Sequence, residues 1–447
     1  MRQLRAPVFL CALGAVSMGI ALQINDGMFQ PAALALATLA SALAVWAALL
    51  RDRAGPPLPA EVMLGLGFLH GLWCHLLGMP TIYLDPRRLQ GFRGLALLAL
   101  LAGSAYLCLH LRASLQKARF LAVLACFAAM GAAVIHLSRS PRVDVWLFQQ
   151  IGGEAFWSGY SPYSISYPDL YEATGETLKM YGPEVVHDHR VFMYPYPPLT
   201  ALLSAPAWAA LGDVRYLGLA AMTAAGWAIG RLGGGVTGEL AALFLLFQGR
   251  SFFVLEQAWT ETLVIAAFAV TALLIAKPSK RVPPWLGVGL AAGVLAASKQ
   301  YSPLLILPLA LAIPRGQRPR AALVALALVI ATALPFLLLD AEGLWRGVVR
   351  MQLLQPLRTD SLSLLALYAR SFGPPAWGAL PAFLAAGAVL LLTLRGTLSL
   401  ARAATSAAAA WLVFVLLNKQ AFCNYDFLGT GLLCVAVAAH SRARETG

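Results

Sequence analysis

Apolar residues recur along the chain in blocks of roughly 15 to 20 that are separated by short polar turns. A helix of that length crosses about 30 Å of hydrocarbon, so the blocks predict membrane-spanning helices. Two shorter apolar stretches, 198–212 and 360–372, can be either spans or segments that enter the membrane and return. The predicted spans are approximately 7–22, 31–50, 60–78, 92–111, 120–137, 214–230, 235–249, 257–276, 283–298, 300–314, 319–338, 376–394, 403–417 and 427–440.

The positions of Lys and Arg decide between these readings, because short cytoplasmic loops are enriched in both. All the basic clusters lie on one side only if the two short stretches enter the membrane and return. The chain is then an all-α bundle that crosses about 14 times, with both ends in the cytoplasm. The clusters are Arg2/Arg5, Arg51/Arg53, Arg112/Lys117/Arg119, Lys277/Lys280/Arg281, Arg315/Arg318/Arg320, Arg395/Arg402 and Arg442/Arg444.

The longest segment between predicted spans, residues 138–197, lies outside in this orientation. It is rich in Tyr, Pro, Gly and charge, and its aromatic and apolar residues alternate with polar ones. This pattern predicts short amphipathic helices on the membrane surface rather than a separate soluble domain. We therefore expect accessory N-terminal helices over 1–118, a main membrane domain over 119–440, and a cytoplasmic tail over 441–447.

The composition agrees with an integral protein of the cytoplasmic membrane. Of 447 residues, 60% are hydrophobic and 12% are charged, whereas soluble domains have about 25% charged residues. The formal net charge is +13, but the basic residues stand in pairs and triplets between apolar blocks, which disfavours nucleic acid as a partner. The positive excess is better explained as an orientation signal, because it falls on the predicted cytoplasmic side.

Ionisable residues near membrane depth are costly and therefore mark candidate functional sites. In the predicted orientation, five turns far apart in sequence bring such residues to the external face. A carboxylate there suits a general base, Lys and Arg suit a phosphate, and Tyr suits a sugar ring, which together describe sugar transfer from a lipid-phosphate carrier. The candidates are Asp144, Glu154, Arg250, Glu256, Lys299, Gln300, Tyr301, Asp340, Gln355, Arg358, Lys419 and Asn424.

Several of these residues also have a purely structural interpretation. Lys299 can extend to the membrane interface, as lysines near helix ends often do. Arg250 and Glu256 can form a salt bridge with each other, and Asp340 can cap the helix that follows it. Asp144 is harder to explain in this way, because it stands among apolar and aromatic residues with no local partner except Arg142.

The sequence specifies no cofactor. His187 and His189 have a spacing found in metal sites, but two histidines beside one Asp in a loop are usually surface residues. No metal ligands are therefore assigned, and a divalent metal stays open. The chain contains no Asp-x-Asp motif of the kind found in nucleotide-sugar enzymes, and a lipid-linked donor does not need one.

Several motifs resemble those of the integral-membrane GT-C glycosyltransferases. Their Asp-containing first loop and Gly-x-x-Pro-Tyr step are similar to DVWLFQQIGGEAFWSGYSPYS, which runs from Asp144 to Ser164 and contains Tyr163. Their Tyr-x-Pro-Pro-Leu motif is similar to FMYPYPPLTALLSAP, which contains Tyr196. The same order continues with AASKQYSPLLILP, PFLLLDAEGLWRGVVRMQLLQPLRTDSLSL and NKQAFCNYDFL. The closest similarity, over roughly 119–440, is to family 87, the polyprenyl-phosphate-mannose-dependent mannosyltransferases.

The resemblance implies an inverting hexosyltransferase on the extracytoplasmic face. It would move a hexose or pentose, with mannose favoured, from a polyprenyl-phosphate-sugar donor to a lipid- or glycan-linked acceptor hydroxyl. Asp144 would be the general base, and the four helices ahead of its loop depart from the family pattern. The donor phosphate would be held by Arg250, Lys299, Arg358 and Lys419. The substrates would contact Glu154, Tyr163, Tyr196, Glu256, Gln300, Tyr301, Asp340, Gln355 and Asn424.

Two other functions stay open. A transporter or flippase of lipid-linked glycans would place charges near the midplane and show inverted repeats. Here Glu61, Glu239 and Glu261 lie close to predicted helix ends, and no repeat is evident. A polymerase or ligase of undecaprenyl-linked glycans would have a large late external loop with Arg and His, whereas the long loop here precedes the stretch 198–212.

Cysteine labelling in intact cells tests the predicted orientation. A membrane-impermeant thiol reagent is expected to modify single cysteines placed within 165–190, because this segment lies outside. The same reagent is expected to miss cysteines placed within 278–282, which lie in a basic cytoplasmic loop. The opposite labelling pattern would overturn the orientation and the external site with it.

Overall fold

The computed structural model describes residues 6–50, 60–104, 106, 113–395 and 398–445. Within these residues the regular structure is helical apart from three two-residue strands and one isolated bridge, which confirms the all-α prediction. Five of the described helices are long and apolar enough to cross a membrane, and seven shorter apolar helices accompany them. The predicted cluster residues Arg2, Arg5, Arg51, Arg53 and Arg112, and the end of the predicted span 92–111, lie outside the described residues.

The first helices are α1 (Ala6–Asn25), α2 (Pro31–Leu49), α3 (Ala60–Leu77) and α4 (Gln90–Ser104). α2 begins at Pro31, because proline fits the first helical turn, where its missing N–H is not needed. The Gln30 side chain accepts a hydrogen bond from the Ala33 amide (2.9 Å) and so caps the helix. A 3-10 turn, Pro86–Arg88, leads into α4.

α5 (Ala113–Leu137) leads into the segment 138–197. This segment contains α6 (Asp144–Trp157), a 3-10 turn (Glu172–Thr174) and α7 (Glu176–Tyr181). It also contains the strands β1 (Tyr167–Pro168), β2 (Val186–His187) and β3 (Arg190–Val191). The strands form an antiparallel sheet in the order β1-β3-β2, in which Val191 pairs with both Tyr167 and Val186.

The sheet is a feature that the sequence did not predict. Tyr167 and Val191 pair across β1 and β3, and both side chains are buried in an aromatic core that includes Phe148, Tyr163 and Tyr194. The predicted short helices are present, and the sheet closes the segment over this core. The segment 138–197 is therefore one folded unit with a core of its own rather than a set of separate surface helices.

The following helices are α8 (Pro198–Leu211), α9 (Arg215–Gly233), α10 (Val236–Phe247), α11 (Ser251–Glu256), α12 (Glu261–Ala276), α13 (Pro284–Ser298) and α14 (Pro303–Ala312). The predicted span 257–276 starts only at Glu261. A turn separates α11 from α12, and within it Ala258 has a φ of 56°, in the left-handed region that helices do not use.

The last helices are α15 (Arg318–Trp345), α16 (Met351–Leu354), α17 (Leu364–Phe372), α18 (Leu380–Thr393), α19 (Leu400–Leu416) and α20 (Cys423–Glu445). A 3-10 turn, Arg315–Gln317, precedes α15, and a π-helical turn, Arg346–Arg350, follows it. α15 is kinked at Asp340, whose φ of −159° is extended rather than helical.

Burial separates central helices from outer ones. α19 is buried along most of its length, and α12 packs against both α9 and α20. α15 is an outer helix, on which Leu323 and Leu338 are 68% and 77% exposed. An exposed apolar surface of this extent is unfavourable in water and suits a hydrocarbon surrounding.

The N-terminal helices do not form a separate layer. α1 packs against α20, and α2 packs against α19. Gly27, with a φ of 74°, lies directly against the backbone of Cys423. On α3, a Cβ added at Gly71 would overlap the carbonyl oxygen of Phe247. The accessory helices and the main bundle therefore share one packed interior.

Replacing Gly71 tests this close packing. Gly71→Ala is expected to destabilise the protein by about 1 to 3 kcal/mol, because the backbone of α10 must move to admit the methyl group. Gly65→Ala, on the same helix, is the matched control, since a Cβ there meets nothing within 4 Å. Thermal unfolding in detergent measures both, and equal melting temperatures would contradict the packing.

Candidate functional site

Helix ends and turns that are far apart in sequence meet on the Asp144 side of the bundle. The Gln149 side chain donates to the Ala258 carbonyl (2.7 Å), which joins α6 to the turn before α12. The Gln300 side chain donates to the Pro195 carbonyl (3.1 Å), which joins the turn between α13 and α14 to the segment 138–197. The structure therefore brings together turns that the sequence assigned to one face.

Asp144 is the first residue of α6 and is half-buried. Its Oδ1 accepts a hydrogen bond from the Val145 amide (2.8 Å), and its Oδ2 accepts one from the Tyr181 hydroxyl. Burial raises the pKa of the Asp144 carboxyl, while these hydrogen bonds and the charge of Arg358 oppose the rise. A carboxylate with a raised pKa is a better proton acceptor than a solvated one, which suits a general base.

Tyrosines are concentrated around this carboxylate. The hydroxyls of Tyr83 and Tyr171 both donate to the carbonyl of Arg142, at 2.8 and 3.3 Å. Burial, together with nearby carboxylate charge, raises the pKa of these phenols, so they stay protonated at neutral pH. The tyrosines that interact electrostatically with Asp144 include Tyr83, Tyr171, Tyr181 and Tyr196.

Two of the predicted phosphate-binding cations lie next to each other on this side. The Arg358 amide donates to the Lys419 carbonyl (3.1 Å), and the Arg358 guanidinium binds Asp360 through its Nε (2.8 Å). The Lys419 ammonium donates to the carbonyls of Gln355 (2.6 Å) and Leu353 (3.1 Å). Burial lowers the pKa of Lys419. The hydrogen-bond partners of this ammonium are neutral carbonyl oxygens.

Lys299, the third predicted cation, already has a carboxylate partner. Its Nζ is 3.0 Å from Glu261 Oε1, and the two side chains are 10% and 0% exposed. The Tyr301 hydroxyl also donates to Glu261 (2.9 Å). The Lys299 ammonium lies 5.2 Å from the ring centre of Tyr196, one of the tyrosines that interact with Asp144. Lys299 therefore belongs to the site, but as half of an ion pair.

Glu261 is the residue of this cluster that sequence analysis did not select. It was noted only as an acid near a helix end, although an ionisable residue one turn inside an apolar helix is itself a functional signal. Its Oε2 is buried and has no hydrogen-bond partner within the described part of the chain. Such a group carries a large desolvation cost and depends on its pairing with Lys299.

Three other residues that were predicted to contact the substrates are buried or bonded to the protein backbone. The Tyr163 hydroxyl donates to the Tyr196 carbonyl (2.7 Å), and Tyr163 itself is buried. The Gln300 side chain donates its hydrogen bond to the backbone of the segment 138–197, as described above. Asn424 is buried in the first turn of α20.

Arg250 and Glu256 are turned toward the N-terminal helices instead. Arg250 pairs with Asp26 at 2.6 Å. Glu256 accepts hydrogen bonds from the Thr81 hydroxyl (2.8 Å) and from the Ile82 amide (2.9 Å). The interpretation of Arg250 and Glu256 as partners of each other was wrong, because α1 and the loop before α4 bring partners that their sequence neighbourhood does not contain.

Asp340 contacts Ser164, next to Tyr163, and Glu154 lies ten residues beyond Asp144 on α6. Asp340 Oδ1 accepts from the Gly343 amide (2.8 Å), which is the capping role considered from the sequence, and Oδ2 accepts from the Ser164 hydroxyl (2.9 Å). Glu154 is exposed on α6. The structure does not bring these two carboxylates to Asp144.

The histidines of the segment 138–197 also have other partners. His189 contacts the Glu172 carboxylate, and the His187 ring contacts the Glu184 carbonyl (3.2 Å). Among the residues that the structure describes, no group of three or more His, Cys, Asp or Glu side chains is placed to hold a metal ion.

A small cleft, with a volume of about 10 Å³, lies beside α6, between α9, α11 and α12. Its lining includes Gln149, Arg215 and Trp259, but not Asp144 or Lys299. The space in front of the Asp144 carboxylate is instead occupied by the Tyr181 hydroxyl.

Comparisons with known proteins found no match: no protein-family model, no curated protein and no solved structure is significantly similar to this chain. The resemblance to glycosyltransferases therefore remains a hypothesis that depends on the motifs and on the site.

The Lys299–Glu261 pair gives a stability test. Lys299→Ala is expected to destabilise the protein by about 3 to 5 kcal/mol, because it leaves the Glu261 charge buried and unpaired. Adding Glu261→Gln to Lys299→Ala is expected to recover much of the loss.

The matched control is Lys179→Ala, which removes an exposed pair with Glu176 and is expected to cost about 1 kcal/mol or less. Thermal unfolding in detergent gives the comparison. If Lys299→Ala melts no lower than Lys179→Ala, the buried pair does not hold this side of the bundle together.

Proposed function

We propose that this protein is a membrane glycosyltransferase of the GT-C type, most similar to the polyprenyl-phosphate-mannose-dependent enzymes. The chain would cross the cytoplasmic membrane about 14 times, with the Asp144 side outside. The concentration of basic residues in the turns at the other end supports this orientation. The observation that carries the proposal is a half-buried carboxylate, Asp144, that interacts electrostatically with Arg358, whose backbone adjoins that of Lys419.

The reaction would be a single displacement with inversion. Asp144 takes the proton of the acceptor hydroxyl, and the acceptor oxygen forms a bond to the anomeric carbon of the donor sugar. The bond between that carbon and the phosphate oxygen breaks, and the polyprenyl phosphate leaves with the electron pair. Proton removal of this kind contributes about 10²- to 10⁴-fold to a rate.

The leaving phosphate would be stabilised by Lys419 and Arg358. Lys419 is the better placed of the two, since its ammonium contacts backbone carbonyls and forms no ion pair with a carboxylate of the described residues. Arg358 shares its charge with Asp360, and Phe422 packs 5.2 Å from its guanidinium. Donors that are fixed before the reaction stabilise developing charge without reorganisation.

A lipid-linked donor agrees with the surroundings of these cations. Leu353 and Leu354, whose backbone adjoins the Lys419 ammonium, are exposed. A polyprenyl chain can cover such side chains while its phosphate reaches the ammonium. The preference for mannose comes from the sequence motifs, and the acceptor would be a hydroxyl on a lipid- or glycan-linked molecule.

Replacing Asp144 tests the proposal most simply. Asp144→Asn is expected to lower transfer from a polyprenyl-phosphate-mannose donor by at least about 10²-fold, because the amide cannot accept the proton. The control is Glu342→Gln, which changes an exposed carboxylate on α15 and is expected to retain activity. Transfer by folded Asp144→Asn at the wild-type rate would exclude Asp144 as the base.

The pH dependence of activity is a second test of Asp144 as the general base. A general base acts only when it is ionised, so activity is expected to fall as pH drops through the pKa of Asp144. Burial raises this pKa, which places the acid limb above the range of a solvated Asp. Kinetics of purified protein from acid to neutral pH measure the limb, and a limb at the ordinary Asp value would contradict the role.

A further inference from the structure

One hydroxyl already donates a hydrogen bond to the proposed base. The phenol of Tyr181, at the end of α7, donates to Asp144 Oδ2, while the other carboxylate oxygen is held by the Val145 amide. An acceptor hydroxyl that gives its proton to Asp144 makes the same kind of bond to one of the carboxylate oxygens, and Oδ2 is the oxygen at which a hydroxyl is already placed. We infer that Tyr181 occupies the position of the acceptor hydroxyl, so that the acceptor subsite lies under α7 and opens when α7 moves away. This inference rests on the proposed function.

The two ends of α7 have the backbone of a hinged segment. Gly175 and Gly182, which flank the helix, have φ values of 64° and 82°, in the region that favours glycine. A Cβ added at either position meets nothing within 4 Å, so a small side chain there would be limited by the backbone conformation and not by its neighbours. Hinges are commonly a few element-terminal residues that absorb a change in φ and ψ.

Few polar contacts join α7 to the rest of the described chain, and the Thr177 side chain is buried among them. Beyond α7, the Glu184 carboxylate pairs with Arg350 at 2.7 Å, and both side chains are about half exposed. Within α7, the Thr177 hydroxyl bonds Asp169. Exposed ion pairs contribute little to stability. The Tyr181–Asp144 hydrogen bond is therefore a main contact that an acceptor has to replace.

The surroundings indicate a carbohydrate as the acceptor. Tyr83 and Tyr171 meet at the Arg142 carbonyl, two residues before Asp144, and Tyr196 lies on the Lys299 side. Aromatic rings beside a carboxylate offer apolar faces for a sugar ring and hydroxyls for its edges.

The N-terminal helices supply one wall of this subsite. Tyr83 belongs to the loop between α3 and α4, and Glu256 fixes that loop through Thr81 and Ile82. Glu256 therefore acts as a positioning residue for Tyr83. This gives the four additional helices a direct role on the acceptor side of Asp144.

Kinetics with octyl mannoside as acceptor and undecaprenyl-phosphate-mannose as donor test the inference. Tyr181→Phe removes the competing hydroxyl but keeps the ring, so the acceptor KM is expected to fall about tenfold or more, as for a hydrogen bond to a charged group. The donor KM and kcat are expected to change little. A lower kcat at unchanged acceptor KM would overturn the inference, because it would mean that Tyr181 permanently orients Asp144.

Hinge variants keep the test independent of Tyr181. Gly175→Ala strains the present, closed backbone and is expected to lower the acceptor KM several-fold. Gly373→Ala is the matched control, since Gly373 also has a positive φ of 85° and an open Cβ position but lies outside α7, after α17. Equal acceptor KM values in these two variants would contradict a hinge at Gly175.

Hydrogen–deuterium exchange tests the opening of α7 without any turnover. Octyl mannoside is expected to speed exchange at the amides of α7 (Glu176–Tyr181) in wild-type protein, and unchanged or slower exchange would overturn the inference. If octyl mannoside opens α7 but no sugar is transferred, the proposed function fails and the subsite stands. If sugar is transferred and the amides of α7 stay protected, the acceptor subsite under α7 is excluded and the proposed function stands.

Discussion

Pairing of ionised side chains at one end of an apolar bundle is the constraint on which this structure depends. A charge taken out of water carries a large desolvation cost unless an opposite charge or several hydrogen bonds compensate it. Glu261 and Lys299 meet this requirement for α12 and for the turn that follows α13, and Arg250 with Asp26 does so between α1 and the turn before α11. Such pairs fix which helix ends meet, and therefore where Asp144 lies.

The features of the fold that could be predicted are those that depend on residues close together in the sequence. Apolar blocks predicted the positions of the long helices, although α5 begins seven residues earlier and α15 ends seven residues later than predicted. The isolated Asp144 and the clustered polar turns indicated one face of the bundle. The small sheet in 138–197 was not predictable, because its two-residue strands carry no periodic signal and form only when Tyr167 and Val191 enter a shared core. Its stability comes from burial rather than from local propensity.

The partners of the candidate residues could not be predicted for a similar reason. Arg250 and Glu256 are near each other in sequence, yet their partners Asp26 and Thr81 come from helices far earlier in the chain. Long-range packing decides such pairings, and a single sequence does not contain it. Because of this packing, Arg250 and Glu256, which were expected to bind the substrates, instead bind the N-terminal part of the chain. The same packing places Tyr83, in the loop between α3 and α4, near the proposed base.

The central claim is that Asp144, Arg358 and Lys419 form one site for a lipid-linked phosphate and its acceptor. A cryo-EM structure of the protein in nanodiscs with undecaprenyl phosphate tests this claim most directly. We expect phosphate density within hydrogen-bond distance of the Lys419 ammonium and the Arg358 guanidinium, with the lipid chain passing over Leu353 and Leu354. Phosphate bound at the opposite end of the bundle would contradict the claim.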